Sequence, residues 1–311
     1  MFNVQCSMKI VTLHAKNSKQ MEKDKEDILL KDRSSRACIS AGYRLYMSNF
    51  KRIFRASWLA AIVFAALVSV GGTMMIVRPE WVLIALPVTM LIDALFLSYG
   101  FSALKQHQQT GAIGWAAHWY SFDTHIFVRT LKAWLCMLVI YIVIGSLIGF
   151  ASIMLIDNLS LYTALGTIAL ISLLAFVLIL PMTYTNMRYV LTDGTGYWNN
   201  LFGHYGKGLR RWGFIFLVVF MTSLIGCVCY VFTSFPAIIL SLAGNEANMG
   251  VMYGDPYNMP SYIGWLSALV FLLIGFIQAY IMLSFLFPMY DMYGSIEAHE
   301  QEKNKFNKEA L

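Results

Sequence analysis

Six long apolar stretches constrain this chain more than any other feature of its sequence. They run over residues 57–77, 81–104, 131–156, 161–185, 212–243 and 262–289. Each supplies the roughly 20 predominantly apolar residues that an α-helix needs to cross about 30 Å of hydrocarbon. Inside a bilayer a helix satisfies all of its own backbone hydrogen bonds, so the stretches predict six transmembrane helices. Composition agrees, because 58% of the 311 residues are hydrophobic and only 13% are charged.

The basic residues predict how these helices are oriented. If all six stretches cross the membrane, every one of the 23 Lys and Arg residues except Arg78 lies on the same side. By the positive-inside rule, that side is cytoplasmic and both termini lie there. The predicted fold is an all-α polytopic membrane bundle of six helices arranged as three hairpins. Residues 1–40 are predicted to be a mobile cytoplasmic arm, 41–295 the transmembrane domain and 296–311 a cytoplasmic tail.

Three approach stretches, each leading into a predicted hairpin, resemble one another. Each ends in a Trp, and the two intervals between these Trp residues are nearly equal, which is typical of an internal repeat. Apolar side chains recur at helical spacing in each stretch, which predicts three amphipathic helices on the cytoplasmic leaflet. The apolar faces are Tyr43, Met47, Phe50, Phe54 and Trp58 in the first stretch; Trp115, Trp119, Phe122 and Ile126 in the second; and Trp198, Leu201, Tyr205, Leu209 and Trp212 in the third.

Basic residues accompany these faces and form a candidate surface for lipid or for a protein partner. Its members are Lys51, Arg52, Arg55, Arg129, Lys132, Lys207, Arg210, Arg211, Trp58, Trp134 and Trp212. A basic residue beside anionic lipid contributes about 1 kcal/mol, and Trp favours the headgroup level. Two interpretations stay open: these helices anchor and orient the bundle, or they dock anionic lipid headgroups or a membrane-protein partner. Nucleic acid is not an expected partner.

The run that begins at Tyr189, "YVLTDGTGYWNNLFGHYGKGLRRWGFIF", combines several features. It has a helix end, Asp193, an amphipathic stretch, a Gly-Lys-Gly centred on Lys207 and an Arg-Trp pair entering the next span. It resembles the six-helix bacterial integral-membrane protein family of unknown function that is related to the membrane domain of glycerophosphodiester phosphodiesterases. The resemblance implies the six-helix fold and a bacterial inner-membrane location. It implies no reaction, because every soluble segment is too short to form a phosphodiesterase catalytic domain.

No catalytic, cofactor or metal site is predicted. The runs "GHYGKG" and "DGTGYW" do not match a phosphate-binding loop, which follows a strand and carries Gly-Lys-Ser/Thr. His107, His118, His125 and His204 lie on the predicted cytoplasmic side, but they form no His-x-x-x-His pair and no Cys joins them. We therefore expect a protein that is not an enzyme.

Two features inside the predicted spans carry hypotheses of their own. Asp93 is the only acid deep in a span, and Gln278 lies at a similar depth in the sixth. A carboxylate there costs several kcal/mol unless it is paired or protonated. Asp93 is therefore either a protonated hydrogen-bonding group between helices or a proton or cation site, with Gln278 as a candidate partner. Gly145 and Gly149 form a Gly-x-x-x-Gly, which favours close helix packing.

Two classes of function are compatible with these observations. The first is a non-enzymatic bacterial inner-membrane protein that organises lipid or a partner complex at the cytoplasmic leaflet. The second is a small-solute or proton-coupled transporter or channel that uses Asp93. Internal repeats and an acid near the middle of the membrane are common in that class.

Overall fold

The computed structural model describes residues 31–77, 82–113, 123–158, 161–253 and 262–309. Within these residues every regular element is an α-helix, so the predicted all-α class is confirmed. The helices are α1 (Ser35–Val77), α2 (Val82–Thr110), α3 (Thr124–Asn158), α4 (Leu161–Leu191), α5 (Tyr197–Arg210), α6 (Trp212–Met252), α7 (Ile263–Ser284) and α8 (Leu286–Glu309).

Several helix ends are set by local side-chain and backbone chemistry. Ser34 caps α1 by accepting a hydrogen bond from the Ala37 N–H at 3.4 Å, and Asp123 caps α3 by accepting from the His125 N–H at 2.9 Å. Gly111, just after α2, and Gly194, shortly after α4, have positive φ angles of 73° and 91°. This left-handed conformation is the one that glycine favours where a helix stops.

Within the described residues, five segments are long and apolar enough to cross a membrane. They are Ser35–Thr73, Thr124–Met154, Leu165–Leu191, Trp212–Gly244 and Ile263–Phe306. Five such segments indicate a membrane-embedded, multi-pass protein. The second predicted stretch belongs to α2, which is not among these five segments of the described residues.

At the centre of the bundle, α1 packs antiparallel against the consecutive helices α7 and α8. At one end the Arg33 N–H donates to Ser295 Oγ at 3.0 Å, and towards the other Ser69 Oγ donates to the Ala268 carbonyl at 2.6 Å. The buried side chains between these points include Tyr46, Ile53, Phe64, Tyr280, Leu283 and Phe287. The pair therefore packs over nearly the whole 43-residue length of α1.

Glycines allow α1 to approach α7 and α8 closely. A Cβ atom at Gly42 would lie 2.6 Å from Pro288 Cα, and one at Gly275 would lie 3.1 Å from Ala65 Cα. By contrast, Cβ atoms built at Gly145 and Gly149 on α3 would have no neighbour within 4 Å. The Gly-x-x-x-Gly of α3 therefore packs against nothing within the described chain, contrary to the prediction of close packing.

Three predicted boundaries fall inside helices. Helix α1 runs unbroken from Ser35 to Val77, so the first approach stretch is continuous with its span. The helix also begins within the segment predicted as a mobile arm. Helix α8 continues through residue 296, where a separate tail was predicted, and Ile296 is buried. Helix α6 extends to Met252, beyond the predicted end of its span at residue 243. In each case packing or helix continuation overrides a boundary drawn from composition.

Candidate functional site

A shallow groove on α1 is the clearest exposed feature that combines aromatic and basic groups. We call it the aromatic–basic groove, and it is lined by Phe50, Lys51, Phe54, Arg55 and Trp58. Its floor is tied to α7 by ring contacts: Phe54 stacks on Tyr280 at a centroid distance of 5.4 Å and meets Phe276 edge-on at 6.2 Å. The groove is therefore built on packed aromatic rings and opens away from the bundle.

The predicted apolar face of the first approach stretch is only partly packed on the core. Met47 is 71% exposed, and Phe54 and Trp58 are also exposed. The buried face of this part of α1 carries Tyr46 and Ile53 instead. Helical spacing thus identified an apolar face, of which Phe50 and Phe54 contact Tyr280 of α7 while Met47 and Trp58 are left exposed.

The basic residues of α1 differ in how they are held. Lys51 and Arg55 are exposed and form no ion pair with an acid among the described residues. Arg52 is also exposed, but its Nη1 donates to the Ile113 carbonyl at 2.9 Å, which tethers the end of the α2 segment to α1. Lys51 and Arg55 are accordingly the two cations at the groove that are available to an anion.

Arg129 occupies a different position from the one predicted for it. It was assigned to the lipid surface, but it is buried, with 7% exposure. Its Nε donates to the Tyr189 carbonyl at 3.0 Å, its Nη2 donates to the Thr192 carbonyl at 2.6 Å, and its guanidinium lies 4.4 Å from the centroid of the Tyr189 ring. Arg129 therefore satisfies carbonyls at the end of α4 and is not accessible to lipid.

Asp193 joins this region to α2. Lys105 Nζ lies 2.8 Å from one carboxylate oxygen of Asp193 and donates to the other at 3.0 Å, while Arg129 Nη1 lies 3.5 Å away. The hydrogen bond from Lys105, helped by the charges of Arg129 and His125, lowers the pKa of Asp193. The Asp193 carboxylate thus links α2, α3 and the α4–α5 connection.

Two further ion pairs at this end of the bundle were not predicted. Arg33 pairs with Asp291 of α8, and Arg188 of α4 pairs with Glu297 of α8. Tyr184 Oη also donates to Glu297 at 2.5 Å. These contacts bind the segment before α1, the end of α4 and the middle of α8 into one polar cluster. One sequence signal was available: both acids lie in an aromatic-rich run directly after the last apolar stretch.

The third approach stretch forms the separate helix α5. Tyr197 and Leu201 are buried on one side, where the Asn200 amide donates to the Thr185 carbonyl at 2.8 Å. Trp198 and Phe202 are exposed on another side and stack with a centroid distance of 6.0 Å. The helix therefore presents an aromatic pair outward while its inner side packs on α4.

The remaining surface candidates lie near the same end. Lys207 and Arg211 are partly exposed, whereas Arg210 is exposed and lies 3.7 Å from Glu300 of α8. Trp212 is partly buried and donates its ring N–H to the Val177 carbonyl at 3.0 Å.

On α3, Lys132 is exposed and Trp134 is partly buried against the core. Most of the second approach stretch, including His118, lies outside the described residues.

Asp93 and Gln278 are not brought together. The Gln278 side-chain amide donates to Ser234 Oγ of α6 at 2.7 Å. Asp93 Oδ1 is shielded from solvent and has no hydrogen-bond partner in the part of the chain that the structure describes. Gln278 is therefore not the partner of Asp93, and the carboxylate oxygen remains without one among these residues.

Among the described residues, the histidines of the predicted cytoplasmic side do not converge. His107 Nδ1 lies 3.1 Å from Tyr290 Oη, and burial lowers the pKa of His107. His125 is exposed, 3.7 Å from Asp193. Burial also lowers the pKa of His204, whose Nδ1 is shielded and has no hydrogen-bond partner within the described ranges. These three rings belong to separate contacts.

Comparison with known proteins gives no relative: no family model, no curated protein and no solved structure matches the chain. The relation to the six-helix family linked to glycerophosphodiester phosphodiesterases stays a prediction.

Proposed function

We propose that this chain is a non-enzymatic, multi-pass protein of the bacterial inner membrane that holds anionic lipid at the cytoplasmic leaflet. The aromatic–basic groove is the observation that carries the proposal. Lys51 and Arg55 form no ion pair among the described residues and lie beside Phe54 and Trp58. The two cations can therefore bind a lipid phosphate, and the aromatic rings can contact its acyl chain. The exposed Trp198 and Phe202 of α5 support contact with the same leaflet.

The proposal includes six crossings arranged as three hairpins. An even number of crossings is supported by a contact near the two ends of the described chain. Arg33 there pairs with Asp291, and the Arg33 N–H donates to Ser295. Segments that touch in this way lie at the same end of the bundle. Since five crossings would separate them by the membrane, α2 is proposed as the sixth crossing, with both termini cytoplasmic.

The test is the selective retention of anionic lipid. The full chain is extracted in mild detergent, equilibrated with equal amounts of phosphatidylglycerol and phosphatidylcholine, and the bound lipid is counted by native mass spectrometry. Removing both cations at the groove, by Lys51→Gln with Arg55→Gln, removes about 2 kcal/mol, so phosphatidylglycerol binding falls about 30-fold. Phosphatidylcholine binding does not change.

A matched control replaces two exposed lysines of α8, Lys303→Gln and Lys305→Gln, which lowers the total charge equally. This control retains phosphatidylglycerol. If the groove variant retains it as well as the unchanged protein does, lipid holding at this groove is wrong. If both variants lose it equally, the effect is one of net charge and the groove has no special role.

A transporter is the second candidate, and the unpartnered oxygen of Asp93 favours it. Proton or cation flux into liposomes that contain the purified chain would fall to background in Asp93→Asn. Gln278→Leu serves as the control, because Gln278 bonds Ser234 and not Asp93. Flux that persists in Asp93→Asn would exclude this candidate.

A further inference from the structure

Three ionisable side chains from opposite ends of the sequence meet on the surface of α8. Asp32, just before α1, approaches His299 and Glu302, and one potential ligand atom from each of the three lies within 4.8 Å of the others. His299 and Glu302 are three residues apart on the helix, which puts them on neighbouring positions of one face. The group therefore has one imidazole and two carboxylates, a set that suits a divalent transition-metal ion.

Asp32 is held in place by its surroundings. Ser295 Oγ lies 3.3 Å from Asp32 Oδ1 and 3.2 Å from the Arg33 carbonyl oxygen, so its one hydroxyl hydrogen has both acceptors within reach, and Arg33 is fixed by its ion pair with Asp291. The other oxygen, Oδ2, is then directed at His299 Nδ1. A hydrogen bond that orients a ligating carboxylate is a common feature of metal sites.

The distance between the Asp32 carboxylate and the His299 ring fits a metal ion better than a hydrogen bond. Asp32 Oδ2 and His299 Nδ1 are 3.4 Å apart. Ligand bonds of 2.0–2.2 Å in a tetrahedral arrangement put neighbouring ligand atoms about 3.4 Å from each other. His299 Nδ1 is shielded from solvent yet makes no aligned hydrogen bond within the described chain, so its lone pair is unused.

The charges of these side chains also favour a bound metal ion. Asp32 and Glu302 are like charges that approach one another, and neither has a Lys or Arg within ion-pair distance among the described residues. Their exposure leaves an open path from solvent. A bound Zn²⁺ would neutralise both carboxylates and leave its fourth position to water.

We propose that Asp32, His299 and Glu302 form a Zn²⁺ site that fastens the segment before α1 to α8. The experiment uses the untagged full chain in detergent, because a polyhistidine tag would bind the metal itself. After removal of bound metal with a chelator, Zn²⁺ is titrated in a calorimeter, and Co²⁺ is added separately so that its visible spectrum reports the ligand geometry.

The unchanged protein is expected to bind one Zn²⁺ and to give the intense visible bands of tetrahedral Co²⁺. His299→Gln and Asp32→Asn each weaken Zn²⁺ binding at least about tenfold, and Ser295→Ala weakens it about tenfold through loss of the Asp32 orientation. His125→Gln, which removes an exposed histidine elsewhere, leaves binding unchanged. Circular dichroism and gel filtration verify that each variant is folded.

Two results would overturn the proposal. Binding that is absent from the folded, unchanged protein would leave Asp32 and His299 as a simple ion pair. Binding that survives in both His299→Gln and Asp32→Asn would locate the metal elsewhere in the chain. The lipid test at Lys51 and Arg55 is independent of either result.

Discussion

The guanidinium of Arg129 lies between α3 and the end of α4, where it donates to the carbonyls of Tyr189 and Thr192. Replacing it by Met would leave these acceptors without their donor. A lost hydrogen bond to a charged group costs about 1.5–3 kcal/mol, so we expect Arg129→Met to lower the stability of the bundle by at least that amount.

The control is Lys132→Met on the same helix. Lys132 is exposed, so its loss should change stability by less than about 0.5 kcal/mol. Thermal unfolding in detergent, followed by circular dichroism, compares the two. Equal melting temperatures for both variants would contradict the buried role of Arg129.

Asp193 gives a prediction about pH. Its hydrogen bond with Lys105 lowers its pKa, so the pair stabilises the folded state above the ordinary aspartate pKa of about 3.9 and ceases to do so as the pH falls through the lowered value. Asp193→Asn should therefore lower the melting temperature at pH 7, and the difference from the unchanged protein should shrink as the pH falls below about 3.9 and through the lowered value. Because Asp193 is 55% exposed, the effect at pH 7 should not exceed about 1 kcal/mol.

A double-variant cycle isolates this contact. Once Lys105→Met has removed the partner, adding Asp193→Asn should cost much less than it does in the unchanged protein. If the two single changes simply add, Asp193 acts through another group, such as Arg129 at 3.5 Å.

At the scale of the element, the contact between α1 and α8 depends on Gly42. A Cβ atom there would overlap the backbone at Phe287 and Pro288, which cannot rotate away as a side chain can. Gly42→Ala should therefore force the helices apart and cost about 1–3 kcal/mol in thermal unfolding. Gly145→Ala is the matched control, because its methyl group would meet nothing within 4 Å.

The control should unfold at the same temperature as the unchanged protein or slightly above it, since Ala favours helix over Gly. A Gly42→Ala variant that is as stable as Gly145→Ala would show that α1 does not pack closely on α8. A loss of stability in Gly145→Ala would instead indicate that α3 has a partner in the membrane.

The helices were predictable from the sequence, but their buried faces were not. The apolar run at 161–185 predicts most of α4 (Leu161–Leu191). The stripe through Met47 and Trp58 is equally regular, yet Met47 is exposed and Tyr46 is buried. Lipid tails are as apolar as a protein core, so hydrophobic spacing does not separate the lipid-facing side of a helix from its packed side.

The partners of the charged side chains were not predictable from the sequence either. The positive-inside rule assigns Arg129 and Lys132 to one side of the membrane, but it does not name their partners. Arg129 turned out to be buried against the carbonyls of α4, and Lys132 exposed. The partner of a charge depends on which distant segments meet, as Arg33 and Asp291 do, and this information is not local in sequence.

At the scale of the whole molecule, the number of membrane crossings determines whether the two ends of the chain lie on the same side of the membrane. If α2 crosses, the residues near Thr110 and the end of α8 lie in the cytoplasm, while the connection between α1 and α2 lies outside. If α2 does not cross, everything after it is inverted. The bundle would then have its first and last segments on opposite sides of the membrane, and the contact between Arg33 and Asp291 argues against that arrangement.

We expect six crossings, and reporter fusions in bacterial cells can test this. Alkaline phosphatase, active only outside the cytoplasm, should be active when fused after residue 80 and inactive after residue 113. Green fluorescent protein, which folds in the cytoplasm, should fluoresce at the C-terminus. Active phosphatase after residue 113 with a dark C-terminal fusion would mean five crossings, and the ion pair that joins α8 to the segment before α1 could not then form across the membrane.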